Sequence, residues 1–375
     1  MTAAQNTIPA DVAAVCDYER HARARVPAPA WAYLDGAAAD GQTARANLAA
    51  YGRIALRSRV LRDLRGGHTR VELLGDVFDA PILVAPVAHQ KLAHPEGELA
   101  TVLGAGAARA GMVVSTQASA SIEDVAAAAH APLWFQLYIQ HDREFTAHLV
   151  RRAEAAGCRA LVLTVDAPVA GLRNAEQRAG FAMPDHARAV NLDGLRLPPA
   201  RAARAGESAV FGAGLLDGAP TWKDLAWLAG LTRLPVLVKG ILDPDDAREA
   251  LAHGARGIIV SNHGGRALDG LPATVDALPA VAAAVAGRAP VLVDGGVRRG
   301  TDVLKALALG ASAVLVGRPV VHGLATAGAV GVAHVLHLLR SELEVAMALT
   351  GCRTLADIGP GVCWAAPDSQ APTCC

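Results

Sequence analysis

The chain carries no excess of charge. Its 35 Lys and Arg balance 35 Asp and Glu, giving a formal net charge of +0 at pH 7. Without a basic surplus to neutralise phosphates, nucleic acid is excluded as the main partner. Cysteine is sparse too. The six copies are Cys16, Cys158, Cys352, Cys363, Cys374 and Cys375. Beyond the terminal pair they show no metal-type clustering, and a chain this long needs no disulfide framework. Reduced thiols in the cytoplasm and no metal site are the expectation. The N-terminus lacks a basic start followed by an apolar core, so no signal peptide is read there. The most apolar long stretch, Val320 to Leu339, contains His322, His334 and His337 and many small residues, which favours a barrel helix over a membrane span. No GxxxxGK[ST] sequence occurs, so nucleoside triphosphate hydrolysis is not indicated.

What is present is apolar and periodic. Hydrophobic residues make up 52% of the chain and charged residues 19%, enough for a sizeable core in one large domain. Short runs of Val, Ile and Leu recur at Pro81–Ala85, Met112–Ser115, Leu133–Gln136, Ala160–Thr164, Val236–Lys239, Gly257–Ser261, Val291–Asp294 and Ala313–Gly317. Continuous apolar character is what strands buried on both faces require. Amphipathic stretches lie between them: Glu98–Arg109, Asp142–Ala156, Asp243–Ala252, Val275–Ala286 and Thr301–Leu309. Gly111, Gly157, Gly254 and Gly310 are placed to end helices in a left-handed residue. Eight strand–helix units in series predict a (β/α)₈ barrel, with a doubly wound open sheet as the alternative. Residues 1–78 read as a helical cap and lead-in, 79–353 as the barrel and 364–375 as an unstructured tail. After the fourth run about 70 residues intervene before the fifth, and the Pro-, Gly- and Arg-rich part, 183–220, reads as a lid or an insertion.

Polar residues capable of chemistry fall where the runs end. Gln136 and Tyr138 follow the third, Thr164 and Asp166 the fourth, and Lys239 the fifth. Ser261, His263 and Arg266 follow the sixth, Asp294 and Arg298 the seventh, and Gly317 and Arg318 the eighth. In a barrel these ends converge on one rim, where active sites are built. Asp294-Gly295-Gly296-Val297-Arg298 and Gly317-Arg318 combine exposed backbone N–H groups with guanidinium forks, a cradle for a phosphate-bearing ligand. His263 is the natural general base, with Asp166 able to stabilise its imidazolium, and Arg266 can grip a carboxylate through two parallel hydrogen bonds. His94 and Glu98 in HPEGE read only as helix-start chemistry. His334 and His337 are three apart on a helix of outer location and are not read as metal ligands.

SNHGGRALD (Ser261 to Asp269), LVDGGVRRGTDVLKALALGASAVLVGRP (Leu292 to Pro319), PVLVKG (Pro235 to Gly240), FQLY (Phe135 to Tyr138) and LTVDAP (Leu163 to Pro168) together resemble the FMN-dependent 2-hydroxy-acid oxidase and dehydrogenase family. The resemblance runs from about Tyr33 to Arg353 and is weakest over 183–220. It implies FMN as cofactor and oxidation of a small (S)-2-hydroxy acid. On that likeness His263 removes a proton with Asp166 as its partner, and Tyr138 contacts the substrate hydroxyl. Arg173, Arg266 and Tyr33 bind the substrate carboxylate. Lys239 lies near the flavin pyrimidine ring, and Ser115, Gln136, Thr164 and Ser261 hydrogen-bond the ring system, backed by Ala85 and Ala88. Asp294 holds the ribityl chain, and Gly296, Arg298, Gly317 and Arg318 the phosphate end.

Gln117 and Ala170 stand where the resemblance to glycolate oxidase leads one to expect Trp and Leu, and His89 where Met is common. The first two widen the pocket toward a substrate larger or more polar than glycolate. O₂ is the expected acceptor, giving H₂O₂. A dehydrogenase or monooxygenase with the same first half-reaction, an FMN-dependent isomerase and a silent FMN-binding protein are the competing readings. A homo-oligomer, a tetramer by analogy, and no membrane partner complete the expectations.

Overall fold

The computed structural model describes residues 6–196, 204, 206–208, 210–211 and 216–364. The tail from 365, with Cys374 and Cys375, and the middle of the 183–220 connection lie outside the described residues.

Two short antiparallel strands, β1 (Val71–Leu73) and β2 (Asp76–Phe78), precede a closed barrel of eight parallel strands. These are β3 (Ile82–Val84), β4 (Met112–Val114), β5 (Leu133–Leu137), β6 (Ala160–Thr164), β7 (Val236–Ile241), β8 (Gly257–Val260), β9 (Val291–Asp294) and β10 (Ala313–Val316). Each pairs with its neighbour in sequence, and β10 closes on β3 through Val314–Ile82 to Val316–Val84. All eight expected runs form strands, and the open-sheet alternative is set aside by that closure.

Continuity of the apolar runs has a packing cause. Val113, Val162, Leu237, Ile259 and Leu292 meet inside the barrel, while Val114, Leu161, Leu163, Val238 and Val260 face the surrounding helices. Both faces are therefore dry, and each buried aliphatic side chain contributes about 1.5–3 kcal/mol. The β1–β2 hairpin, which lies within the stretch expected to be helical cap and lead-in, joins the interior cluster through Leu73 and Phe78 and seals the N-terminal end. Phe78 meets Trp134 edge-on at 6.2 Å. Gly111 serves this plug: a Cβ there would come within 2.6 Å of Phe78. It does not end the preceding helix as expected, because α4 (Glu98–Ala107) stops earlier and Arg109 takes the left-handed conformation (φ 52°).

The other helices include those expected from the sequence. They are α5 (Ile122–Ala127), α6 (Arg143–Ala155), α8 (Trp222–Leu231), α9 (Pro244–Ala252), α10 (Thr274–Val285), α11 (Gly300–Ala308) and α12 (Arg318–Thr350), with α7 (Asn174–Arg178) inside the β6–α8 connection. α12 breaks at Ala327 and Gly328, where the backbone is non-helical; taken as one element it is the only helix among the described residues long and apolar enough to cross a membrane, yet 78% of its apolar window is buried inside the protein. It packs on α4, α11 and the N-terminal α1 (Asp17–Arg25), so it is a core helix.

Two further N-terminal helices, α2 (Ala28–Asp35) and α3 (Gln42–Arg53), lie over the C-terminal ends of the strands. Asn47 of α3 fixes this arrangement. Its amide exchanges two hydrogen bonds with buried Asn262 (2.8 and 2.9 Å) and accepts a third from the Thr274 backbone N–H (3.1 Å).

Glu98 is not merely first-turn chemistry. Its carboxylate is fully buried and accepts from Gln90 N, Ser119 N and Ser119 Oγ at 2.7–3.0 Å. The described start of the 183–220 connection is pinned rather than loose: Ala187 accepts from His89, and Asn191 accepts from Ile122 N.

Candidate active site

The strand ends surround a cavity of about 1010 Å³, capped by α2 and reached also by Leu192 and residues 217–220. Every residue nominated from sequence lines it except Asp166 and Ser261, which stand directly behind His263 and Lys239.

At one end His263 occupies the turn after β8 in a left-handed conformation (φ 57°). Its Nδ1 lies 2.8 Å from Asp166 Oδ1. A carboxylate can only accept, so Nδ1 carries the proton and Nε2 is left as the basic nitrogen. Burial pushes the Asp166 carboxyl up, but the Lys239 ammonium and the His263 hydrogen bond outweigh it and leave it below the usual range. Gly240 makes room for this carboxylate: a Cβ there would approach Asp166 Cβ to 2.5 Å.

Arg266, Arg173, Tyr33 and Tyr138 line the same cavity. Arg266 donates to Gly36 O at 2.7 Å and lies 5.4 Å above the Tyr33 ring. Burial, then the neighbouring Arg173 and Arg318, push its guanidinium down to about 9. Burial raises Tyr33 and pushes Tyr138 up to about 12, so both phenols are protonated donors at neutral pH. Gln117 and Ala170 line the wall beside them.

Lys239, Ser261 and Asp294 form a buried relay under the middle of the cavity. Lys239 Nζ lies 2.8 Å from Ser261 Oγ and 3.1 Å from Asp294 Oδ2, and Ser261 Oγ donates to Asp294 Oδ1 at 2.6 Å. Desolvation opposes the lysine charge, but Asp294 and Asp166 outweigh it and hold the ammonium above its usual range. Ser261 Oγ also accepts from His263 N at 3.1 Å, linking this relay to the base.

At the far end Gly295 and Gly296 are left-handed (φ 92° and 88°), and Gly296 packs so closely on the Asn47 carbonyl that no side chain fits. Arg318 opens α12 and donates to Gly264 O and Gly36 O, both at 2.9 Å. Burial and then the Arg318 charge push Arg298 down to about 10. Arg266, Arg298 and Arg318 are all held below their ordinary range, chiefly by burial.

Unpartnered polar atoms fill the picture between. Gln136 Nε2 and Thr164 Oγ1 are buried without a hydrogen bond, and so is Arg318 Nε. Gln136 Oε1 already accepts from Thr116 N at 3.1 Å and Ser115 Oγ at 3.3 Å, which aims its NH₂ elsewhere. Each orphan costs about 1–3 kcal/mol unless a ligand satisfies it. A flat polar ring over Ala85 and Ala88 with a phosphate at Arg298 and Arg318 does so, and FMN has that shape and charge.

Comparison with known proteins agrees. Residues 22–365 match the model of the FMN-dependent dehydrogenase family. The chain belongs to the FMN-dependent dehydrogenase family. Members of that family similar to it include an L-lactate oxidase of Alicycliphilus denitrificans, 49% identical over 98% of both chains. The peroxisomal (S)-2-hydroxy-acid oxidase of Oryza sativa subsp. japonica is 49% identical over 92% of this chain and 93% of its own. The solved structure of mandelate oxidase with benzoyl-formic acid superimposes with a TM-score of 0.83 at 43% identity, covering 92% of this chain and 96% of that one. Like them, this FMN-dependent dehydrogenase family member is a flavoprotein oxidoreductase, and FMN is its cofactor.

Sequence reasoning missed the backbone and second-layer parts of this site: the Gly36 carbonyl shared by Arg266 and Arg318, the Asn47–Asn262 amide pair, and Leu192 on the wall. Carbonyls leave no mark on a sequence. Asn262 did have a signal, because it sits between Ser261 and His263.

Proposed function

We propose that this chain oxidises a small (S)-2-hydroxy acid to its 2-oxo acid with O₂ as acceptor, releasing H₂O₂. The carrying observation is the His263–Asp166 pair at 2.8 Å on the same cavity wall system that presents Arg266, Arg173 and Tyr33. FMN, when bound, supplies the two-electron acceptor and returns the pair to O₂.

The chain's own residues do the rest. Arg266 and Arg173, which flank the Glu176 carboxylate at 3.8 and 3.3 Å, bind the substrate carboxylate through their remaining N–H groups. Tyr33 and Tyr138 donate hydrogen bonds to the carboxylate and the hydroxyl. His263 Nε2 takes a proton from the substrate, and Asp166 stabilises the imidazolium. Lys239 and the unpartnered donors of Gln136 and Thr164 hold the ring system, while Arg298, Arg318 and the glycine turn hold the phosphate. Gln117 and Ala170 leave room for a substrate larger than glycolate.

Anaerobic mixing with hydroxy acids of increasing size tests this reading. Persistent flavin bleaching, followed by stoichiometric peroxide on admitting air, is the expected result. Turnover without net flavin reduction would identify an isomerase, and bleaching without peroxide a dehydrogenase. Self-association is the corresponding proposal for assembly, supported by the exposed Val60, Leu61, Val345 and Leu349 and checked by light scattering. A cytoplasmic location, supported by the free thiols of Cys16, Cys158, Cys352 and Cys363, completes the proposal.

A further inference from the structure

Tyr33 is aimed without a hydrogen bond. Its phenol lines the cavity, and no described residue accepts from or donates to it, so the ring's neighbours alone decide where the O–H points. Three groups hold that ring. Phe181 stacks on it at 4.9 Å and 25°, the Arg266 guanidinium stands 5.4 Å from its centre, and His89 meets it edge-on at 5.6 Å and 72°.

Of these neighbours His89 links the ring to another segment. Its Nδ1 lies 2.7 Å from the Ala187 carbonyl, which can only accept, so Nδ1 bears the proton. Its backbone N–H donates to the Gln117 carbonyl at 3.1 Å. The residue is left-handed (φ 56°), a conformation an L-residue other than Asn, Asp or His seldom adopts and which recurs where a site fixes geometry. Ala187 and Phe181 belong to the same segment after α7, and both join Tyr33 in the apolar cluster between that segment and α2. One imidazole therefore touches Tyr33 directly and anchors the segment that carries the stacking Phe181. Burial pushes the ring below its ordinary range, and Nδ1–H donates to Ala187 O in either charge state.

We propose that His89 is a positioning residue for substrate binding: it sets the direction of the Tyr33 hydroxyl by packing on the ring and by tethering the Phe181–Ala187 segment. The proposal rests on the reading of Tyr33 as a ligand of the substrate carboxylate. His89 does not line the cavity, and its effect is transmitted through Tyr33.

A double-mutant cycle tests this on the FMN-loaded enzyme. His89→Ala and Tyr33→Phe are made singly and together, and KM, kcat and the Kd for oxalate, a carboxylate probe that is not oxidised, are measured. FMN content and melting temperature are followed alongside. His89→Ala removes one hydrogen bond and one ring contact, so a rise of about tenfold in KM and in the oxalate Kd is expected, with kcat changed by less than about threefold. In the Tyr33→Phe background the same change adds less than about twofold, because no hydroxyl remains to be aimed. His89→Asn keeps a donor near Ala187 and tolerates the left-handed backbone; it recovers part of the lost affinity. It also replaces His89→Ala in the cycle if the latter fails to retain FMN.

If Tyr33→Phe itself leaves KM and the oxalate Kd unchanged, Tyr33 is no carboxylate ligand, and the reading beneath the proposal falls with it. If Tyr33→Phe weakens binding while the His89 variants alter only melting temperature, or act additively with Tyr33→Phe, the positioning role alone is overturned.

Discussion

Replacing Asp166 by Asn tests the central chemistry most directly. The substitution keeps the size and one acceptor oxygen but removes the charge facing His263. When His263 takes up a proton, the new imidazolium lies beside a carboxylate whose Oδ1 is 2.8 Å from Nδ1, with the two charge centres about 4 Å apart. At an effective dielectric of about 20 such a pair is worth about 4 kcal/mol, or about 10³ in rate. Partial exposure of the His263 side chain, 23% against 9% for Asp166, trims this, so a loss of about 10²- to 10³-fold is expected. The assay is anaerobic stopped-flow flavin reduction at saturating hydroxy acid, which isolates the first half-reaction from oxygen chemistry. The pH follows from the carboxyl itself. Its folded-state value lies below the ordinary 3.8, so its charge is complete above that value and its stabilising contribution is lost only as pH falls through the folded one. Measurements near neutral pH therefore compare a fully ionised wild type with an uncharged variant. An Asp166→Asn enzyme that holds FMN and is reduced within about threefold of the wild-type rate would refute the reasoning.

Other outcomes follow from the same geometry. Arg318→Leu removes a guanidinium whose Nε makes no hydrogen bond and lies 3.7 Å from Asp35 Oδ1; FMN affinity should fall by about 10²-fold while riboflavin affinity changes little, measured by fluorescence titration. Gln117→Trp should move kcat/KM toward glycolate and away from bulkier hydroxy acids in steady-state kinetics. Asn47→Ala strips three hydrogen bonds from buried partners and should destabilise the protein by about 2–4 kcal/mol in denaturant titration, with FMN loss at lower denaturant than wild type.

The barrel was legible because its strands are wet on neither side. A run such as Leu161 to Leu163 must alternate between interior and helix layer, and both demand apolar residues, so the signal is unbroken. The β1–β2 hairpin escaped notice for the opposite reason: with three residues per strand and only Leu73 and Phe78 buried, no period can be counted. Site residues were legible in outline, since strand ends place Lys239, His263 and Asp294 on one rim. Asp166 was nominated as the partner of His263 from its place at a strand end and again by the family resemblance, but their contact across 97 residues of sequence needed the structure. Arg109 shows a local rule losing to packing: the glycine sits where Phe78 needs space, and arginine takes the backbone conformation that glycine usually supplies.

The seam between β3 and β10 carries a consequence for biosynthesis. The first barrel strand to leave the ribosome waits for the last, and Arg318, which follows that last strand, emerges some 230 residues later. Until then the rim is an open arc with one phosphate ligand missing. The complete cradle is therefore assembled late in synthesis, and a chain cut short before β10 lacks both the strand that closes the barrel and Arg318.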